Sequence, residues 1–271
     1  MRKIAFIGVG NMANAIIGGL LRSGAVDCPH LILSDKFPDK CGGYVANGAT
    51  LAASPAEAAA QADCIVLSVK PQNFPEILPE LAAVEGIEKK LIITIAAGIS
   101  SDSVRNALHG APTVRVLPNT PMLVGLGVSL ICTAPTVAVE DFDFVRAMFE
   151  ASGRVEIIDE SDMNAMISVT SSSPAYVFAF IGAICEGARA QGLDGDALMT
   201  AVCDMVIGSA TLLRDGGLTP TEQISRVTSK GGTTERAMAV LQERGLDGLV
   251  TDAMKACTAR AVEMDKASRN S

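Results

Sequence analysis

Apolar and polar positions along the chain fall into two regimes. Up to about residue 157, short apolar runs alternate with stretches of helical periodicity. Ile4–Ile7, Leu31–Asp35, Ile65–Val69, Leu91–Ile95 and Thr113–Leu117 read as strands, and Gly127–Cys132 and Arg154–Ile158 extend the set. Helices are expected near 12–22, 37–46, 55–61, 73–82, 101–108 and 139–151. This rhythm predicts a doubly wound parallel sheet joined by right-handed crossovers. From about Glu160 the period is helical throughout, with helices expected near 161–190, 195–214, 220–227, 233–243 and 247–268. Gly192, Gly216-Gly217, Gly231-Gly232 and Gly245 separate them. The expected division is therefore 1–157 and 158–271.

The stretch from Met163 to Cys185 carries no charge, which raises the question of a membrane. Ser171-Ser172-Ser173-Pro174 interrupts it, and the apolar tract beyond runs only from Ala175 to Cys185. Spanning a bilayer takes roughly 20 predominantly apolar residues. With no Trp and two Tyr for interfacial belts, a helix buried in protein is expected, and no membrane.

The first strand breaks into Gly8-Val9-Gly10, which adds chemistry to the pattern. Gly8 permits a tight turn, and Gly10 lets backbone N–H groups approach a pyrophosphate. Asn11 is expected to cap the helix whose positive end faces that charge, with Met12 and Ala13 entering it. Asp35 closes the second strand, where an acid usually bonds the adenosine ribose of NAD. Lys36 beside it suits the 2′-phosphate of NADP, and Ser34 serves either. On these residues alone the two cofactors are balanced, and an exposed Asp-Lys turn is the plainer alternative. Val69-Lys70-Pro71, Ala96-Ala97-Gly98 and Pro118-Asn119-Thr120-Pro121 follow later strands, where ligands gather in such sheets. Lys70 suits the cofactor ribose or phosphate as well as it suits solvent.

In the helical half, Ser229-Lys230-Gly231-Gly232-Thr233-Thr234 places two glycines and several hydroxyls at a helix start. Such an end collects a carboxylate, although an ordinary loop capped by Thr233 looks the same. Neither His30 nor His109 falls where catalysis is expected, and no lysine stands between Lys90 and Lys230. Reducing a carbonyl calls for an acid at the developing alkoxide, whereas a protonated imine is already the electrophile. The inventory leans toward C=N reduction.

Seven cysteines without a Cys-x-x-Cys pair read as reduced core residues, not a metal site or disulfide frame. An apolar strand at the very start leaves no room for a leader, so a cytoplasmic protein is expected. A net charge of −8 without a Lys/Arg cluster argues against a nucleic-acid surface.

Taken together, Gly8-Val9-Gly10-Asn11-Met12, Val69-Lys70-Pro71, Ala96-Ala97-Gly98, Arg115 to Pro121, Pro174-Ala175-Tyr176 and Thr228 to Thr234 resemble the pyrroline-5-carboxylate reductases of proline biosynthesis along essentially the whole chain. The resemblance implies a Rossmann-like α/β domain followed by an all-helical dimerisation domain. NADPH is the implied hydride donor, with NAD as the alternative, and the implied assembly is a homodimer or a ring of dimers. It also implies that Ser229, Gly231, Gly232 and Thr233 bind the carboxylate of a small-molecule substrate and that Thr234 bonds its ring nitrogen. The family usually has Gly-Ser-Gly where this chain has Ser171-Ser172-Ser173, and proline where Lys230 stands. A hydroxy-acid reductase would want a lysine on the long helix. A nucleotide-sensing regulator would have no use for the Gly231–Thr234 cluster.

Overall fold

The computed structural model describes residues 1–133 and 137–269. Eight strands form one sheet: β1 (Ile4–Ile7), β2 (Leu31–Ser34), β3 (Thr50–Leu51), β4 (Cys64–Leu67), β5 (Leu91–Thr94), β6 (Thr113–Leu117), β7 (Gly127–Thr133) and β8 (Gly153–Ile157). Their spatial order is β3-β2-β1-β4-β5-β6-β7-β8, so the chain starts in the centre and reverses direction of winding beside β1. The expected doubly wound sheet is present, with one correction. β7 runs antiparallel to β6, with Arg115 opposite Cys132. The connection between them holds only a 3₁₀ turn, Thr120–Val124, and a parallel return needs a crossover of about a dozen residues or more.

Alternation along the strands sorts side chains onto the two faces. Ile4, Phe6, Leu31, Leu33, Val66 and Ile93 join Ile16, Ile17 and Leu20 of helix α1 (Asn11–Ser23). Ala5, Ile7, Ile32, Ile65 and Ile92 face the other way. There they meet Ala58 of α3 (Pro55–Gln61), Leu81 of α4 (Phe74–Ala82) and Val104 of α5 (Ser101–Ala107). A short α2 (Gly42–Val45) lies between β2 and β3, and α6 (Val139–Glu150) sends Val145 and Phe149 into the first face. Central strands covered on both sides favour apolar residues at nearly every position, which is why they read as near-continuous runs.

Beyond β8 come α7 (Met163–Met166), a π-helical turn (Ile167–Ser171), α8 (Ser173–Ala190), α9 (Ala197–Gly216), α10 (Pro220–Val227), α11 (Thr233–Glu243) and α12 (Leu246–Arg269). α10 starts on a complete capping box, Thr219 with Glu222. Two compact units emerge. The sheet unit runs to Ser172 and takes back the chain from Cys257, whereas the helical unit is Ser173–Ala256. At Ser171–Pro174 the interruption is confined to Ser172, between the π turn and α8, because proline is tolerated in a first helical turn. The run Glu160–Ala190 and helix α9 each contain an 18-residue stretch of mean hydropathy 1.4, so by length and composition both are apolar enough to cross a membrane. The expectation from tract length is corrected to that extent.

Candidate active site

Parallel pairing brings the ends of β1, β2, β4, β5 and β6 to one edge of the sheet. Gly8 turns the chain there at φ +94°, and a Cβ on it would lie 2.8 Å from the Val69 side chain and 3.1 Å from the Ser68 carbonyl. Only glycine fits such a position. Gly10 is different: a Cβ would meet nothing within 4 Å, so the space above the start of α1 is open. No side chain caps that helix, and Gly10, not Asn11, is its N-cap residue; Asn11 is already helical and exposed. Free first-turn N–H groups facing open space fit a pyrophosphate.

Asp35 follows β2, but its carboxylate turns inward. Oδ2 accepts the Val9 N–H at 2.7 Å and Oδ1 accepts the Phe37 N–H at 2.8 Å, with Lys40 Nζ 3.5 Å away. Its side chain is 8% exposed. This clamp on the glycine loop was not foreseen, although an acid ending the strand beside that loop is the signal for it. Ser68 supplies a second unforeseen brace, its hydroxyl donating to the Gly8 carbonyl at 2.6 Å. Ser34 is buried and its carbonyl accepts the Gly8 N–H at 2.7 Å. Lys36 and Lys70 are exposed at the same edge, Pro71 is half-buried, and Met12 packs partly into the core below.

Ala96 is buried and Ala97 half-buried after β5. Asn119 is 7% exposed and spends both ends of its amide on the protein. Oδ1 accepts the Val128 N–H at 2.9 Å, and Nδ2 donates to the Thr170 carbonyl at 3.2 Å in the π turn. Ser171 adds a bond from its hydroxyl to the Pro118 carbonyl at 3.1 Å. A glycine at that position could not make it.

In the helical unit, α11 begins at Thr233 with Gly232 as an uncapped N-cap residue. Gly231 turns at φ +75°. Its N–H donates to Glu235 Oε2 at 2.7 Å, and the Gly232 N–H donates to the Ser229 carbonyl at 2.9 Å. Two of the three donors expected to face a carboxylate are therefore used internally. The N–H groups of Thr233 and Thr234 are first-turn donors with no intrahelical acceptor. Ser229 is exposed and Thr234 half-buried.

Among the described residues, no group of three His, Cys, Asp or Glu converges to hold a metal. Burial pushes the Cys64 thiol far above the ordinary range and Cys132 up to about 12, so neither is a thiolate nucleophile near neutral pH.

Residues 160–264 match the family model of pyrroline-5-carboxylate reductase dimerisation, and residues 3–98 match that of coenzyme F420-dependent NADP oxidoreductases. A pyrroline-5-carboxylate reductase of Escherichia coli is 35% identical over 98% of this chain and 99% of its own length. One of Vibrio alginolyticus is 36% identical over 98% of each. By fold, a Plasmodium falciparum pyrroline carboxylate reductase with NADP bound superposes with a TM-score of 0.90 at 24% identity, covering 97% of this chain and 98% of that one. A phosphate-ready sheet edge, an uncapped glycine turn in the helical half and likeness along the full length have one reading: the chain belongs to the pyrroline-5-carboxylate reductase family.

Proposed function

We infer that this chain reduces 1-pyrroline-5-carboxylate to L-proline with NADPH, the last step of proline biosynthesis. The observation that carries the reading is the match to pyrroline-5-carboxylate reductases at 35–36% identity over nearly the whole of both chains. The open space over Gly10 and the uncapped α1 support pyrophosphate binding by the Gly8–Met12 segment. Lys36 is an exposed cation beside Asp35, and its charge suits a 2′-phosphate, which favours NADPH over NAD(H). Val69, Lys70, Pro71, Ala96 and Ala97 line the same edge. Ser34, Asp35 and Asn119 serve the cofactor by bracing the backbone around it.

The cofactor supplies a hydride; the protein's task is to present the imine carbon. The substrate carboxylate is held by the N–H groups of Thr233 and Thr234 and by the Ser229 hydroxyl, with Gly231 and Gly232 shaping the turn. The Thr234 hydroxyl bonds the ring nitrogen, orients the ring and exchanges a proton with that nitrogen as it becomes an amine. Because the iminium carries its own activation, no strong protein acid is required, in keeping with the absence of lysine between Lys90 and Lys230.

A dimerisation domain spans residues 160–264. We propose a homodimer with helices exchanged between partners, able to build a ring of dimers. The exposed apolar faces of α8 and α9 would then be covered by the second copy and not by lipid. Seven unpaired cysteines suit the cytoplasm, and the acidic surface suits neither nucleic acid nor an anionic membrane.

NADPH oxidation with pyrroline-5-carboxylate, run beside hydroxy acids with NAD(P), tests the activity. Thr234→Ala should lower kcat/KM by roughly tenfold to a thousandfold, and Thr234→Ser should keep much of it. An alanine variant as active as the parent would remove Thr234 from the chemistry.

A further inference from the structure

Arg115 is a full charge in the middle of β6, 2% exposed. Its Nη1 lies 3.3 Å from Glu160 Oε1, and its Nη2 donates to Asn164 Oδ1 at 2.9 Å. Glu160 passes the connection on: Oε1 accepts the Ser101 N–H at 2.7 Å, and Oε2 accepts the Ser101 hydroxyl. Asn164 does the same in the other direction, donating from Nδ2 to Asp265 Oδ2 at 3.4 Å. One guanidinium thus ties together β6, the 160–164 segment, the first turn of α5 and the end of α12, all within the sheet unit.

Between these anchor points runs the turn Ala96-Ala97-Gly98. Ser101 fixes its exit into α5. On its other side α12 presses directly on it: a Cβ at Gly98 would lie 2.7 Å from Met264 Cβ, next in sequence to Asp265. Both supports of the turn are therefore linked to Arg115 through one intermediate side chain, Ser101 through Glu160 and α12 through Asn164. Stability alone is a poor reason for such an arrangement, because a buried ion pair often contributes no more than apolar residues of the same volume. What it offers is a fixed geometry.

We propose that Arg115 is a positioning residue of the reductase, acting through Glu160–Ser101 and Asn164–Asp265 to set the Ala96–Gly98 turn against the bound cofactor. This rests on the reading that the turn touches NADPH. The charge at Glu160 orients Arg115, while its two oxygens, accepting the N–H and the hydroxyl of Ser101, hold the turn, so the charge and the acceptors of one side chain are separable roles.

The test uses the full-length assembled enzyme and measures NADPH affinity by fluorescence titration, steady-state constants for both substrates, and Tm. Glu160→Ala should weaken NADPH about tenfold, the equivalent of one hydrogen bond to a charged group, with KM for pyrroline-5-carboxylate unchanged. Glu160→Gln keeps an acceptor for the Ser101 N–H. It should lose Tm, because Arg115 is left without its counter-charge, yet retain most of the NADPH affinity. Ser101→Ala, a gentler change, should weaken NADPH in the same direction if Glu160→Ala does not fold. Equal losses of affinity in the alanine and glutamine variants, in step with Tm, would make the network merely structural and overturn the proposal. So would unchanged NADPH affinity in Glu160→Ala or Ser101→Ala. Ala97→Asp checks the underlying reading separately: if a carboxylate on the turn leaves NADPH binding intact, the turn does not touch the cofactor.

Discussion

Replacing Asp35 with alanine removes an acceptor from two backbone N–H groups and a partner from Lys40. The three losses are unequal. Phe37 is exposed, so its N–H regains water, and the Lys40 pair is half in solvent and counts for little. Val9 is fully buried, so its N–H stays dry and unpaired, which costs its full desolvation. The sum is about 2–4 kcal/mol, or a fall in Tm on the order of 10 °C. Freed from Asp35, the Gly8–Gly10 loop no longer holds one position before the uncapped start of α1. Because both cofactors carry the same pyrophosphate, NADPH and NADH should lose affinity together, and Asp35→Asn should fall between the parent and the alanine variant. Parallel fluorescence titrations with the two cofactors, beside urea unfolding, measure this. If NADH weakens alone while NADPH tightens, Asp35 reads the ribose, and the clamp on Val9 carries no functional weight.

Lys36→Ala should weaken NADPH by roughly tenfold and leave NADH almost unchanged in competition titrations; equal loss would show that Lys36 does not read the 2′-phosphate. Light scattering should find a dimer or a multiple of it at micromolar concentration. Phe178→Glu on α8 or Ile207→Glu on α9, at positions 64% and 60% exposed in the single chain, should dissociate it; an active monomer of the parent would refute the assembly. Alkaline unfolding should follow the buried thiols, Cys64, which burial pushes far up, and Cys132, which burial lifts from the ordinary 9.0 to about 12 with the Glu160 charge adding to the effect. The unfolded chain releases those protons first, so stability is intact below about pH 9 and declines from there toward pH 12. Cys132→Ser should flatten part of that decline in urea melts taken across the range.

The sheet was legible because its central strands are covered on both faces, which leaves runs such as Ile4–Ile7 and Leu91–Ile93 uninterrupted by polar residues. β3 escaped notice because two exposed residues, Thr50 and Leu51, carry no period. The direction of β7 is fixed by the length of its connection, not by its composition. The need for glycine at Gly8 was readable because it meets a local constraint, a positive φ beside Val69 and Ser68. What Asp35, Asn119 and Arg115 do was not readable, since each is defined by a backbone group or side chain far along the chain: Val9, Thr170 and Glu160. The donors at Gly231 and Gly232 were overestimated because a helix start in the sequence does not reveal that Glu235 and the Ser229 carbonyl already occupy them. The Ser171-Ser172-Ser173 departure found a local use in the hydroxyl bond to the Pro118 carbonyl.

α12 has a consequence for how the molecule is made. Ala261 belongs to the small apolar cluster with Leu117, Leu130, Cys132, Met163 and Ile167, and Met264 closes over Gly98. During translation the sheet leaves the ribosome long before these residues, and the entire Ser173–Ala256 unit is made in between. Until Cys257 and the turns after it emerge, the nascent sheet has an uncovered apolar patch beside the Ala96–Gly98 turn. The sheet unit therefore closes only after the whole helical unit has been made, and a nonsense codon between Ser173 and Ala261 would yield a sheet whose small apolar cluster lacks Ala261.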